Sequence, residues 1–401
     1  MAPVTYSDRI ISLDILRGFA ILGILIMNII SFAMPGAHYM NPMAEGALQG
    51  ADKWTFYFSQ LFANQKFISL FAILFGAGIL LMSERMESLG KSSSKRHYTR
   101  NFWLLLIGLF HAYVIWHGDV LVSYAICAIW VYWFRKKSAR TLFVLGGIFM
   151  LISFLMWLLT GVSIPYIPEE SLAEMCAEWT PTEAAIAEEI ATFRGDWSTH
   201  FPLRAEFAFG MQFFLFFYGV GWQVTGLMLI GMGLYKTRII TADREPSFYK
   251  KMIWIGLSIG LLLGLIGLYQ NELHNWACDY SFFLGSQWNY LASLPMALGY
   301  IGIVMLLCES KWVDRLKTWI APIGRMALTN YLMQSIIATF LFYGTGLGLF
   351  GTVGRAEQWI YILGIWGFQL FFSRWWLSRF RFGPMEWFWR SLTYWKLQPM
   401  K

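Results

Sequence analysis

The chain has 401 residues, of which 57% are hydrophobic and only 14% charged, and its mean hydropathy is +0.50. Soluble proteins carry about 25% charged residues, so the composition excludes a soluble globular domain and indicates a polytopic membrane protein. The net charge of +7 does not mark a nucleic-acid binder, because the bases sit in short loops between apolar segments, as membrane orientation requires.

Ten apolar segments read as helical spans, near residues 10–34, 55–82, 101–117, 120–134, 141–160, 207–235, 252–269, 289–308, 320–343 and 357–377. The first follows Arg9 and carries Asp14, Arg17 and Asn28. At 100° per residue these three fall within about 60° of one another, so a polar stripe runs along an apolar helix. Such a stripe must face protein or water rather than lipid. The segment is too long for a signal-peptide core and lacks the small-residue cleavage site. Asp14 is expected to pair with Arg17 and orient it. His38 follows the span and is expected at the outer mouth of the same cavity.

The second span carries Lys66, about 16 Å deep if the helix starts at Thr55. In the third, His111 lies eleven residues from Arg100, and Asn28 lies eleven from Arg17, so both are placed about 16 Å from the cytoplasmic end. The turn His117–Gly118–Asp119 joins spans three and four. Asn28, Lys66, His111 and Asp119 are thereby expected at one depth in the outer half of the bilayer. For any one of them, hydrogen bonding between helices is the plain alternative. An ionisable His and Lys on separate spans, with an Asp at a shallow turn, favour function.

Between spans five and six lies an acidic segment, 161–206, with a short external helix predicted over Thr182–Phe193. Basic residues alternate to the other side: Arg85, Lys91, Lys95, Arg96 and Arg100, then Arg135–Lys137 and Arg140. They continue as Lys236, Arg238, Arg244, Lys250 and Lys251, then Lys311, Arg315 and Lys317. The positive-inside rule makes that side cytoplasmic and puts both termini inside. Cys176 and Cys278 fall in two outer loops, so a disulfide can join them; Cys127 and Cys308 lie in apolar runs, and no metal-ligand spacing occurs. In span nine, Asn330 and Gln334 share a face suited to helix–helix hydrogen bonding, while Arg325 lies near the cytoplasmic end. The tail around Trp387, Trp389 and Tyr394 reads as an interfacial helix, with Glu386 placed to pair with Arg390; anchoring is the expected role, and contact with an anionic cytoplasmic ligand is the alternative.

Taken together, these segments resemble the bacterial YeiB family, whose C-terminal part is called DUF418. The resemblance rests on Leu13–Asp14–x–x–Arg17–Gly18 through Asn28, and on Lys66–Phe67–x–x–Leu70–Phe71–x–x–Leu74–Phe75–Gly76–x–Gly78. It continues with His111 before Gly118–Asp119–x–Leu121, Trp222–Gln223 before Met228–Leu229–Ile230–Gly231, Gly324–Arg325–Met–Ala–Leu–Thr–Asn330–Tyr331, and Gly383–Pro384–x–Glu386–Trp387–x–Trp389–Arg390. It covers nearly the whole chain, read as one transmembrane domain with N-terminal helices over 1–206 and a DUF418-like part over 207–401.

The resemblance implies a wider transmembrane acyltransferase superfamily that includes the heparan-α-glucosaminide N-acetyltransferases. Its members take an acyl group from cytosolic acyl-CoA and deliver it to an acceptor across the membrane. The implied catalytic residues are Asn28 as donor to the developing oxyanion and His38 or His111 as general base, with Asp119 orienting a histidine. Arg17, Lys66, Arg100, Arg325 and Asn330 are assigned to the acyl-CoA side, Lys66 also as a balance for Asp119 or a holder of the acceptor. The expected partners are membrane lipids, acetyl-CoA or another acyl-CoA, an outer-side acceptor and a second copy in a homodimer; nucleic acid and metal are not expected. The expected location is the bacterial inner membrane. The rival reading is a proton-coupled transporter with His111, Asp119 and Lys66 as relay.

Overall fold

A computed structural model describes residues 10–310 and 314–401. Arg9 and Lys311 lie outside the described residues. The described chain is helical and forms no sheet, with α1 (Ile11–Ala33), α2 (Gly50–Phe62), α3 (Lys66–Ser88), α4 (Ser93–Phe110), α5 (Leu121–Val131) and α6 (Ala139–Ser163). On the outer segment lie α7 (Glu169–Cys176) and α8 (Glu183–Phe193). There follow α9 (Trp197–Gly210), α10 (Gly221–Lys236), α11 (Pro246–Leu273), the single turn α12 (Cys278–Tyr280), α13 (Ser286–Glu309), α14 (Asp314–Arg325), α15 (Ala327–Phe342), α16 (Gln358–Leu377) and α17 (Pro384–Tyr394).

Six helical stretches among the described residues are long and apolar enough to cross a membrane: Ile11–Ala33, Gly50–Ser88, Ala139–Tyr166, Trp197–Lys236, Pro246–Leu273 and Cys278–Glu309. The other four predicted segments are helical but shorter, broken or more polar. The α1 stretch is 72% buried, whereas those of α6 and α11 are 22% buried. The helix with the polar stripe is therefore central, and the uniformly apolar helices form the periphery that lipid would cover.

Glycines set the closest helix crossings. A Cβ on Gly76 would lie 1.9 Å from the Met228 carbonyl oxygen, and one on Gly231 would lie 1.9 Å from that of Ile73. Helices α3 and α10 thus touch backbone to backbone at two reciprocal points. Gly18 and Gly324 do the same for α1 and α14: a Cβ on Gly324 would lie 1.8 Å from the Asp14 carbonyl oxygen. Small residues allow this approach where no hydrophobic force pulls helices together in lipid.

Three expectations are corrected. The predicted second span breaks between α2 and α3, with Gln65 in the left-handed region at φ 63°, so Lys66 opens α3 instead of lying within a continuous helix. Predicted span nine breaks at Met326 into α14 and α15. Glu386 does not pair with Arg390. Its carboxylate accepts the Leu328 N–H (2.7 Å), the Thr329 N–H (3.1 Å) and the Thr329 hydroxyl (2.5 Å), capping the start of α15. Other expectations hold. Thr182 caps α8, Asp14 and Arg17 form an ion pair at 3.2 Å, and Cys176 and Cys278 are disulfide-bonded across 102 residues. The stretch from Trp197 to Lys236 crosses the 206/207 boundary as α9, a π-helical segment over Met211–Val220 and α10.

Candidate functional site

The α4 helix does not end cleanly. It widens into a π-turn over His111–Ile115 and then unwinds into an extended link ending at Asp119. Such widened turns recur at functional sites because they turn a side chain out of the helical register. Here the link returns Asp119 to His111. His111 Nδ1 lies 2.7 Å from Asp119 Oδ2, with both side chains fully buried. The other Asp119 oxygen accepts the Val122 N–H at 2.8 Å, fixing the carboxylate at the start of α5. An ionised Asp119 assigns the proton to Nδ1 and leaves Nε2 as an acceptor. Ser335 Oγ, on α15, lies 2.8 Å from that Nε2. Serine, imidazole and carboxylate therefore stand in series in the bundle interior, the arrangement by which an imidazole activates a hydroxyl.

Tyr331 lies one turn before Ser335 on the same face of α15. Its ring sits 5.1 Å from the His111 ring, and its hydroxyl accepts the Val120 N–H at 3.3 Å. Tyr331 and Val120 are also the inner wall of a partly open cavity of about 500 Å³. The middle of that cavity is apolar, lined by Ile21, Ile24, Phe71, Leu74 and Phe75. Its lining also gathers Arg17, Arg85, Arg96, Arg100, Arg325, Arg381 and Arg390. Aromatic faces hold several of them: Arg100 lies over Trp389 at 4.2 Å and Arg96 over Tyr394 at 3.8 Å. Stacking fixes a guanidinium while leaving its edge N–H groups for an anion. Burial pushes the Glu386 carboxyl at this rim up from the usual range, against the pull of the N–H groups it accepts.

Not all the sequence-predicted residues meet. Arg17, Arg100 and Arg325 share the cavity, and His111 and Asp119 pair beyond its inner wall. Lys66 does not approach Asp119: its ammonium donates to the Gln60 carbonyl at 2.8 Å and to the Asn289 side chain. The cause is the break before α3, which turns Lys66 back toward the end of α2. Asn330 binds Ser373 at 3.0 Å and the carbonyls of Ile323 and Met326, joining α15 to α16 and bridging the break before it, and it does not line the cavity. His38 is buried against Glu45 at 2.9 Å, and burial lowers its pKa from the usual 6.5 despite that carboxylate. Asn28 is half-buried and makes no side-chain hydrogen bond among the described residues. It shares a face of α1 with Ser31, which contacts His117 at 3.3 Å, and Phe32, whose ring lies 4.2 Å from Trp116. Trp116 in turn borders His111.

Sequence reading missed Ser335; for the tail it offered contact with an anionic ligand as the alternative to anchoring, and α17 does line the cavity. A serine in an apolar helix carries no signal of its own. Only the i,i+4 spacing to Tyr331, within a motif already noted, could have pointed to it.

Residues 234–396 match a family described as "Protein of unknown function (DUF418)". The chain is 33% identical over 392 residues to "Uncharacterized protein YeiB" of Escherichia coli (strain K12), covering 96% of each. It is 31% identical over 421 residues to "Uncharacterized protein YxaH" of Bacillus subtilis (strain 168), covering 100% of this chain and 98% of that one. A third relative, "Uncharacterized 39.9 kDa protein in amylase 3'region" of Bacillus acidopullulyticus, is 27% identical over 98% of this chain and 96% of its own length.

Proposed function

The chain belongs to the YeiB family, whose C-terminal region is DUF418, and we propose that it is a membrane acyltransferase moving an acyl group from cytoplasmic acyl-CoA to an outer-side acceptor. One observation carries the reading: Tyr331, in the lining of an arginine-rich cavity, lies one helical turn from a buried Ser335–His111–Asp119 series. The arginine side is cytoplasmic by the positive-inside rule, and the disulfide-bonded side faces the oxidising exterior of a bacterial inner membrane. Ten spans and two cytoplasmic termini are consistent with that assignment.

The arginines, held by Trp389 and Tyr394, bind the nucleotide phosphates, and the apolar middle of the cavity takes the pantetheine arm. Ser335 Oγ attacks the thioester carbonyl carbon while His111 Nε2 takes the hydroxyl proton. The C–S bond breaks, His111 returns the proton to the leaving thiolate, and the acyl group rests as an ester on Ser335. An acceptor hydroxyl or amine then attacks that ester with His111 again as base, and Ser335 leaves reprotonated. Asp119 holds the imidazole tautomer and balances its positive charge. Asn28 donates to the carbonyl oxygen as negative charge develops.

The test is thiol release from acetyl-CoA and longer acyl-CoAs by the protein in nanodiscs. His111→Ala is expected to cost about 10²–10⁴-fold, and Asn28→Ala about 10²–10³-fold. Arg100→Gln is expected to raise KM for acyl-CoA far more than it lowers kcat. No acyl-CoA binding or turnover, together with a His111-dependent proton flux in vesicles, would replace this reading by transport.

A further inference from the structure

Beyond the His111 turn, away from the arginine cavity, lies a second set of cationic and hydroxyl groups. His200 and Arg204 stand four residues apart on one face of α9 and are fully buried. The segment containing Arg204 reads from sequence as the end of an outer loop; the structure places it inside a helix. Arg204 Nη1 donates to the carbonyls of Val114 (3.2 Å) and Ile115 (2.7 Å), the last residues of the π-turn that begins at His111. Its Nε and Nη2 have no partner among the described residues. Neither ring nitrogen of His200 has one, nor do the Tyr343 hydroxyl and His117 Nδ1. The His200 and Tyr343 rings lie 5.3 Å apart, and Phe193 packs against His117 (6.2 Å), His200 (6.1 Å) and Tyr343 (5.0 Å), so these groups gather beside Arg204.

Buried polar groups are nearly always hydrogen-bonded, and buried charges are paired. Six orphaned donor or acceptor atoms around one guanidinium break both rules at once. The nearby acids do not answer the charge. Asp196 spends one oxygen on Ser198 and Thr199 and acts on His200, while Glu189 accepts the Gly36 N–H and acts on Tyr343; neither forms an ion pair with Arg204. With Nη1 tied to carbonyls, the free Nε–Nη2 edge presents two parallel N–H donors. That edge matches the two oxygens of a carboxylate or phosphate.

We propose that Arg204, His200, Tyr343 and His117 bind an oxyanion, carboxylate or phosphate, carried by the outer-side substrate. It rests on the acyl-transfer reading only in calling that substrate the acyl acceptor. The anion would anchor the acceptor beside Trp116, which separates His117 from His111. Phe193 and Phe350 stack over the site at 4.6 Å, joined to their neighbours by the Gly344 N–H to the Phe193 carbonyl at 2.9 Å and by Arg194 Nε to the Phe350 carbonyl at 2.7 Å.

The experiment measures the thermal unfolding midpoint of the full chain against acetate, succinate and inorganic phosphate at fixed ionic strength. Parallel nanodiscs of phosphatidylcholine with and without phosphatidylglycerol separate a free anion from a lipid headgroup. Arg100→Gln serves as background to weaken binding in the cytoplasmic cavity, and the signal assigned to this site is the part of the rise that depends on Arg204 and Tyr343. The expected result is a saturable rise in midpoint in that background, weakened about 10–100-fold in affinity by adding Arg204→Gln and less by Tyr343→Phe. Tyr343→Phe deletes a single oxygen, which keeps the test valid if the arginine variant does not fold. CoA binding is expected to survive in Arg204→Gln without the background change, which separates this site from the acyl-CoA cavity. A rise indifferent to both Arg204 and Tyr343, or no rise with any anion or lipid, overturns the proposal.

Discussion

Two buried cations, Lys66 and Arg204, differ in how their surroundings answer them. Lys66 donates to the Gln60 carbonyl and to Asn289, and the Gln60 amide oxygen collects Asn64 at 2.7 Å and Asn289 at 3.1 Å. That network closes on itself and joins the end of α2 to α13. Around Arg204 the donors remain open, on the guanidinium and on the histidine and tyrosine beside it. Burial of a charge in a membrane protein therefore does not by itself mark function. The count of unanswered polar atoms separates a tie between helices from a site awaiting a ligand.

The largest stability effect expected from this contrast is at Lys66. Lys66→Met leaves the Gln60 carbonyl and Asn289 without their donor and is expected to cost about 2–4 kcal/mol, read as a lowered unfolding midpoint. Arg355 is an intermediate case. It is buried, donates to the His38 carbonyl and feels Asp52, yet keeps Nε and Nη1 unpartnered. Arg355→Met is expected to cost about 1–2 kcal/mol by the same measurement. Arg204→Met is expected to cost less than Arg355→Met, because no acid forms an ion pair with Arg204 and the recovered desolvation penalty offsets the lost bonds to the Val114 and Ile115 carbonyls. A loss at Arg204 as large as that at Lys66 would erase the distinction.

The smallest effect concerns pH. Burial lowers the His38 pKa below its unfolded value of 6.5, so the folded state prefers the neutral ring. As pH falls through about 6.5 the unfolded chain takes up the proton more readily, and stability declines toward acid. The unfolding midpoint is expected to be lower near pH 5.5 than near pH 7.5, with His38→Gln flattening part of that slope.

Much of the helical architecture was legible because apolar length is a strong signal, and the Asp14–Arg17 pair was legible because three residues on a helix set the distance. His111 and Asp119 were legible as two polar groups at one depth, with Asp119 expected to orient a histidine, and the structure selects His111. Positions decided by distant partners were not legible. The break at Met326 depends on Glu386, roughly 60 residues later, capping the new helix. The break before Lys66 falls at Ala63–Asn64–Gln65, with no glycine or proline to announce it. Ser335 becomes a candidate nucleophile only because α15 places it against a histidine 224 positions earlier.

The central claim is that an acyl group passes through Ser335 between the arginine cavity and the outer side. Peptide mass spectrometry of the nanodisc-embedded protein, quenched after exposure to acetyl-CoA without acceptor, tests it directly. The account predicts an acetyl group on Ser335, absent in His111→Ala. An unmodified Ser335 peptide alongside undiminished thiol release in Ser335→Ala would contradict it.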